Sequence, residues 1–126
     1  MKLEINMVVK DAREAADFYN NLFGAEILSK TDLDKPLNET RMVVGGTEIR
    51  VITENKEFGL VAPSENVPSS MWVNLFVDDI NKQCKVAEDS GCVIISPVTE
   101  FPESNAINAV FRDKYGHIWV VNQKMN

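Results

Sequence analysis

The sequence is poor in several residue types that would mark particular functions. Its 126 residues include two cysteines and a single histidine, His117. Two cysteines do not make the disulfide framework of a small secreted domain, so the sequence favours a reducing cytoplasm. A single histidine excludes the iron site in which two histidines and a carboxylate of one chain hold the metal.

Long apolar runs and an excess of basic residues are also missing. No apolar stretch approaches the ~20 residues needed to cross a bilayer. Thirteen Lys and Arg residues stand against 19 Asp and Glu residues, which gives a formal net charge of −6. A chain with this balance repels nucleic acid and anionic membranes. We therefore expect neither nucleic acid nor a membrane as a partner.

The composition is that of an ordinary globular protein. Hydrophobic residues make up 44% of the chain and charged residues 25%, which argues against disorder. At this length a chain usually forms one domain with a core that needs no disulfide or metal. The sequence thus predicts a single domain over residues 1–126.

The two halves of the chain repeat one pattern. Residues 5–11 (Ile-Asn-Met-Val-Val-Lys-Asp) align with residues 73–79 (Val-Asn-Leu-Phe-Val-Asp-Asp). Each segment reads as a strand followed by an aspartate suited to capping a helix. Gly24 and Gly91 then follow as helix stops. The pattern indicates a duplicated unit.

The end of each half extends the repeat, because residues 49–51 (Ile-Arg-Val) align with residues 118–120 (Ile-Trp-Val). Each half reads as a strand, a helix and three strands. The sequence therefore predicts an α+β fold of two tandem βαβββ modules, which form a curved mixed sheet with the helices on its convex side.

The module boundaries follow from composition. We expect module 1 over about residues 1–54, a linker over 55–69 rich in Pro and Ser, and module 2 over about 70–126. A polar loop is predicted around residues 34–36, and another loop over residues 97–105.

Strand alternation assigns side chains to the two faces of the sheet. Leu3, Ile5, Met7 and Val9 are predicted to face the helix. The residues that alternate with such apolar positions are predicted to line the concave face, where a ligand has room: Glu4, Asn6, Val8, Trp72, Asn74 and Phe76.

Several of these residues allow two readings. Glu4 could bind a cation or act as a base, or it could be a solvated residue at the start of a strand. Asn6 and Asn74 could bind a ligand or bridge the two modules. Trp72 could provide a stacking surface for a planar or cationic ligand, or it could fill the cavity.

The histidine and the cysteines are predicted to be structural. His117 shares its strand face with Trp119, which reads as a core residue. Cys84 lies on the apolar stripe of a predicted helix and Cys92 opens a strand, without a Cys-x-x-Cys pattern. We identify no catalytic residue.

These residues resemble the vicinal oxygen chelate superfamily, which includes glyoxalase I, extradiol dioxygenases, fosfomycin-resistance enzymes and bleomycin-binding proteins. The resemblance rests on the repeated module and on residues 9–11 (Val-Lys-Asp), 16–19 (Ala-Asp-Phe-Tyr) and 22–24 (Leu-Phe-Gly). Residues 113–119 (Asp-Lys-Tyr-Gly-His-Ile-Trp) are similar to the PhnB-like branch. The resemblance also implies a homodimer.

The resemblance implies where metal ligands would lie. They fall on Glu4, Val51, Trp72 and Val120, of which only Glu4 can ligate a divalent metal. The sequence therefore predicts no metal and no cofactor, and it adds Val51 and Val120 to the cavity lining.

We predict a metal-free small-molecule binding protein of the glyoxalase/bleomycin-resistance type, located in the cytoplasm, that could sequester a drug or a metabolite. Two alternatives stay open. One is a glyoxalase-like lyase or isomerase, or a dioxygenase-like enzyme, whose metal or base the sequence does not reveal. The other is an interaction protein whose own side chains fill the pocket.

Overall fold

The computed structural model describes residues 1–32 and 37–125. The chain divides into two compact units, Met1–Pro63 and Ser64–Asn126, which we call module 1 and module 2. The polar loop predicted around residues 34–36 lies outside the described residues.

Module 1 contains one helix and a four-stranded mixed sheet. Its elements in chain order are β1 (Asn6–Val9), α1 (Ala12–Phe23), β2 (Glu26–Lys30), β3 (Glu39–Val44) and β4 (Thr47–Thr53), followed by a short 3-10 helix, Lys56–Phe58. The strand order in the sheet is β1-β4-β3-β2. Strand β1 runs parallel to β4, and the other neighbours are antiparallel.

Module 2 repeats this plan. Its elements are β5 (Trp72–Phe76), α2 (Ile80–Asp89), β6 (Val93–Phe101), a 3-10 helix (Pro102–Ser104), β7 (Ala106–Arg112) and β8 (Ile118–Lys124). The strand order is β5-β8-β7-β6, with β5 parallel to β8. The prediction of an α+β fold with two tandem βαβββ modules is confirmed.

Both helices begin where the sequence indicates and α1 ends at the predicted glycine, whereas the C-cap of α2 is Ser90, one residue before the predicted Gly91. The Asp11 side chain accepts a hydrogen bond from the Arg13 backbone N–H at 3.0 Å, and Asp79 accepts one from the Lys82 N–H at 3.1 Å. Such caps satisfy backbone donors that the first turn leaves free. Gly24 ends α1 in the left-handed region at φ 66°, a conformation that glycine adopts without strain.

One helix covers one face of each sheet. In module 1 the largest buried side chains include Tyr19 of α1 and Met42 of β3, and both are fully buried. In module 2, α2 buries Ile80 and Ala87, while the strands bury Phe111 and Trp119. Burial of each such large side chain stabilises the fold by roughly 1.5–3 kcal/mol. We call the opposite side of each sheet its helix-free face.

Two local predictions are wrong. Residues 97–101, predicted as part of a loop, continue strand β6, whose pairing with β7 shifts register on both sides of Ser96. These shifts accommodate Pro97, which lacks a backbone donor, on a strand at the edge of its sheet. Leu3 and Ile5 are exposed and not packed on the helix, because the β1–β4 ladder begins only at Asn6.

Candidate functional site

The helix-free face of module 2 carries most of the predicted site residues. In β5, Val73 and Leu75 point toward the helix side with Trp119 and Val121, their partners in β8. The alternate positions of β5 therefore lie on the helix-free face. The structure places Trp72, Asn74 and Phe76 there, together with Val120, which pairs with Asn74.

Two aromatic side chains on this face are exposed. Trp72 is 63% exposed and Phe76 is 77% exposed. Asn74 lies between them, and its Oδ1 accepts a hydrogen bond from Asn122 Nδ2 at 3.4 Å. The same Nδ2 group donates to the Val120 carbonyl oxygen at 3.1 Å. This face thus offers aromatic surface beside two amide side chains, those of Asn74 and Asn122, which are hydrogen-bonded to each other.

A cavity of about 380 Å³ adjoins these residues at the end of the β5–β8 pair. Phe76 and Asn122 line it, and the remaining lining residues come from the segment after β5 and from the end of β8. Asn122 is not among the residues predicted to line this face, although its position two residues after Val120 in one strand places it there.

Module 1 places Asn6 on its helix-free face, since its neighbour Met7 is buried on the helix side. Asn6 pairs with Arg50. Val51 pairs with Met7 and is fully buried. The prediction that Val51 lines the helix-free face is therefore wrong, and Arg50 takes that position.

The error for Val51 comes from the repeat register. Asn6 and Asn74 are equivalent in the repeat, and they pair with Arg50 and Val120. Arg50, one residue earlier than the sequence predicts, is thus the counterpart of Val120. A shift of one residue in a strand moves a side chain to the other face.

Glu4 belongs to an ion-pair network on the helix-free face of module 1. Arg41 Nη2 lies 3.3 Å from Glu4 Oε1, and Arg50 Nη1 lies 3.9 Å from the same oxygen. Glu39 bridges the two arginines: it lies 3.7 Å from Arg41 Nε and in close contact with Arg50. Arg41 also contacts Glu48 at 3.4 Å. We call these five residues the module 1 charge network.

The charge network offsets a local repulsion between two like charges. Arg41 and Arg50 are direct cross-strand partners, a placement in which like charges repel. Three carboxylates surround the two guanidinium groups and leave one formal negative charge. The network is not evident from the sequence because its members come from three segments, although the Glu-x-Arg spacing at residues 39–41 and 48–50 is a usable signal.

The residues that resemble the PhnB-like branch have a structural role. Asp113 is buried, and its Oδ1 accepts hydrogen bonds from the backbone N–H groups of Tyr115 at 2.8 Å and His117 at 3.0 Å. Its Oδ2 accepts one from Trp119 Nε1 at 2.9 Å. The carboxylate thus fixes the turn between β7 and β8 and anchors the buried indole.

The two thiols are unsuited to nucleophilic chemistry. Cys84 and Cys92 are both buried. Burial, with a smaller effect of the Asp113 carboxylate, raises the pKa of Cys92 to about 12 from an ordinary 9.0. Burial also raises the pKa of Cys84. Because the thiolate is the reactive form, both side chains are expected to be inert near neutral pH.

The residues at the metal-ligand positions that the resemblance implies do not fit a divalent metal. With the corrected register these positions hold Glu4, Arg50, Trp72 and Val120. Only Glu4 has a ligating atom, and its carboxylate already faces two guanidinium groups. Within residues 1–32 and 37–125, no group of three or more His, Cys, Asp or Glu side chains could hold a metal ion.

No helix in the described part of the chain is long and apolar enough to span a membrane.

Comparisons with known proteins agree with this architecture. Residues 3–121 match the model of the Glyoxalase/Bleomycin resistance protein/Dioxygenase superfamily. No curated protein sequence matches the chain. Among solved structures, hypothetical protein SA1046 from S. aureus is similar at 20% identity and a TM-score of 0.72, over 98% of this chain and 96% of that one.

Two proteins with informative names are also similar in structure. The fosfomycin resistance protein FosX from Listeria monocytogenes has 14% identity and a TM-score of 0.74, over 99% of this chain and 93% of that one. Another structure of FosX is a complex with Mn(II) and a sulfate ion. TioX from Micromonospora sp. ML1 has 17% identity and a TM-score of 0.72, over 100% and 98%. At these identities the likeness shows the fold.

Because the family model spans nearly the whole sequence, the chain belongs to the glyoxalase/bleomycin resistance protein/dioxygenase superfamily.

Proposed function

We propose that the protein binds a small molecule on the helix-free face of its sheet without using a metal, in the manner of a drug- or metabolite-sequestering protein. The observation that carries this proposal is the pair of exposed aromatic side chains, Trp72 and Phe76, on either side of Asn74 on one strand. Exposed aromatic surface beside fixed amides suits a planar ligand, which stacks on the rings while the amides orient it.

The exposure of Trp72 favours one of its two readings. A tryptophan that filled a cavity would be buried, whereas 63% of Trp72 is accessible. Stacking on an aromatic ring contributes about 1 kcal/mol beyond the burial of area. We therefore assign Trp72 to ligand stacking, with Phe76, Asn74 and Val120 as its neighbours on the face.

On module 1 the candidate ligand contacts are Glu4 and Asn6. The charge network retains one formal negative charge, so this face favours a cationic or hydrogen-bond-donating ligand over an anionic one. The name of FosX, a fosfomycin resistance protein with the same fold, supports a small molecule as the class of ligand.

A thermal-shift screen with planar aromatic compounds that are cationic, neutral or anionic tests this proposal. We expect cationic or neutral compounds to stabilise the protein, and Trp72→Ala to weaken their binding about tenfold, as the loss of stacking and contact area predicts. Trp72→Phe should retain most of the affinity, and Val67→Ala, on an exposed loop, should retain all of it. Unchanged binding by folded Trp72→Ala would contradict the proposal.

The prediction that ligand binding uses no metal can be tested separately. We expect elemental analysis of protein purified without chelator to give far less than one equivalent of nickel, zinc, iron or manganese, because one carboxylate shared with two arginines is not a metal site. A stoichiometric metal would favour the enzyme alternative instead.

The proposal extends to assembly, location and branch. We propose a cytoplasmic homodimer of the PhnB-like branch. Strand β6 lies at the edge of its sheet, with Val93 52% and Ile95 49% exposed, and proteins usually cover such edges. Light scattering should give twice the 14.2 kDa chain mass. A monomer at micromolar concentration would contradict the dimer.

A further inference from the structure

The cavity of about 380 Å³ in module 2 has a distinctive set of side chains. Its lining residues are Phe76, Val77, Asp78, Asn122, Gln123 and Lys124. The Val77 N–H donates to the Asn122 carbonyl oxygen at 2.8 Å, which ties together the strand ends that form the cavity. The volume falls in the range of small-molecule sites, about 300–1,000 Å³.

Opposite charges line this cavity without neutralising each other. Asp78 and Lys124 are both exposed. Neither side chain forms a hydrogen bond or an ion pair with any other residue in the described ranges. This cavity thus offers a carboxylate that can accept a hydrogen bond from a cation, and an ammonium group that can donate a hydrogen bond to an anion.

Two amides also line this cavity, on opposite faces of β8. Gln123 lies on the helix side, where its Oε1 accepts a hydrogen bond from the Ile80 N–H at 2.8 Å. Asn122 Nδ2 donates to the Val120 carbonyl oxygen at 3.1 Å, so its Oδ1 remains an acceptor. The acceptor Asn122 Oδ1 thus adds to the charged groups of Asp78 and Lys124.

We propose that this cavity binds a small zwitterion of the α-amino acid class with an apolar side chain. The ligand's ammonium group would be held by Asp78 and Asn122 Oδ1, and its carboxylate by Lys124. Its apolar side chain packs on Phe76, which is 77% exposed. The inference rests on the proposed function, because Phe76 and Asn122 belong to the helix-free face assigned there to ligand binding.

Titration calorimetry on the full chain tests the inference with three probes: L-phenylalanine, phenethylamine and 3-phenylpropionate. The probes share a phenyl group and differ in charge. L-phenylalanine should bind, and each singly charged probe should bind about tenfold more weakly or worse, since each loses one set of charge-assisted hydrogen bonds. Equal affinity for L-phenylalanine and either analogue would overturn the inference.

Two charge variants give a crossed pattern. Asp78→Asn should weaken L-phenylalanine and phenethylamine about tenfold and leave 3-phenylpropionate unchanged, whereas Lys124→Gln should weaken L-phenylalanine and 3-phenylpropionate. The matched controls Asp17→Asn and Lys82→Gln alter exposed charges outside the cavity and should have no effect. Affinities that respond equally to the cavity variants and to the controls would overturn the inference.

A neutral aromatic probe separates this inference from the proposed function. If indole binds in a Trp72-dependent way while L-phenylalanine does not bind at millimolar concentration, the zwitterion inference fails and the proposed function stands. If L-phenylalanine binds with the crossed pattern but no probe depends on Trp72, the cavity is confirmed and the stacking role of Trp72 fails.

Discussion

The helix-free faces of the two modules carry contrasting chemistry on the same backbone plan. In module 1, Glu4 and Arg50 occupy the positions that Trp72 and Val120 occupy in module 2. The module 1 face is covered by ion pairs among five charged side chains. The module 2 face exposes aromatic rings and two amides instead.

A cavity in module 1 differs from the module 2 cavity in the same sense. Glu39 and Arg50 of the charge network line this module 1 cavity, which measures about 160 Å³. The module 2 cavity measures about 380 Å³ and contains opposite charges that do not pair with each other. A duplicated fold can thus satisfy its polar groups internally in one copy and leave them free for a ligand in the other.

The largest difference in stability is expected at the hairpin turns. Asp113 accepts three hydrogen bonds in the module 2 turn, whereas the module 1 turn uses Gly45 and Gly46 at φ 55° and 81°. Asp113→Ala leaves three donors without their partner and should lower the free energy of unfolding by about 3 kcal/mol or more. Urea unfolding measures this loss.

Two variants sharpen the turn comparison. Asp113→Asn keeps one acceptor oxygen and should cost less than Asp113→Ala. Gly46→Ala introduces only backbone strain in module 1 and should cost about 1 kcal/mol. If Asp113→Ala were no more damaging than Gly46→Ala, the carboxylate would not be the element that holds the module 2 turn.

A smaller effect is expected from the buried thiol of module 2. The pKa of Cys92 is raised to about 12 in the folded protein, from an ordinary 9.0. Ionisation of the unfolded chain therefore begins at lower pH than ionisation of the folded protein. The stability due to Cys92 is fully present below pH 9 and is lost as the pH rises toward 12, by about 1 kcal/mol at pH 10.

Urea unfolding at pH 8 and pH 10 checks this dependence. Cys92→Ala is the control variant. Because module 1 has no cysteine, its titratable groups contribute equally to the pH dependence of stability in the parent protein and in Cys92→Ala. The fall in stability between the two pH values should be larger in the parent protein. An equal fall in both proteins would show that the Cys92 thiol does not titrate differently on folding.

The smallest effect is expected in the charge network of module 1. Glu39 contacts both arginines, but its side chain is 24% exposed and that of Arg50 is 35% exposed. Glu39→Gln should therefore lower the free energy of unfolding by less than about 1 kcal/mol, and added salt should reduce the difference. Glu48→Gln, which loses one exposed contact, is the control and should be close to neutral. A larger, salt-independent loss of unfolding free energy for Glu39→Gln would indicate that the network is shielded from solvent.

Much of the fold follows from local sequence features. Alternation, the caps at Asp11 and Asp79 and the stop at Gly24 each depend on residues within one element. Local geometry therefore reveals both modules and the face of β5 that carries Trp72, Asn74 and Phe76.

Only the tertiary structure decides the features that join separate segments. The one-residue register that puts Arg50, and not Val51, on the helix-free face depends on the ladder between β1 and β4. The charge network likewise needs β3 and β4 beside the segment that precedes β1. The module 2 cavity exists because the end of β8 lies against the segment after β5. A sequence encodes which side chains alternate, but strand pairing determines which of them meet, because a slip of one residue reverses every side chain of a strand.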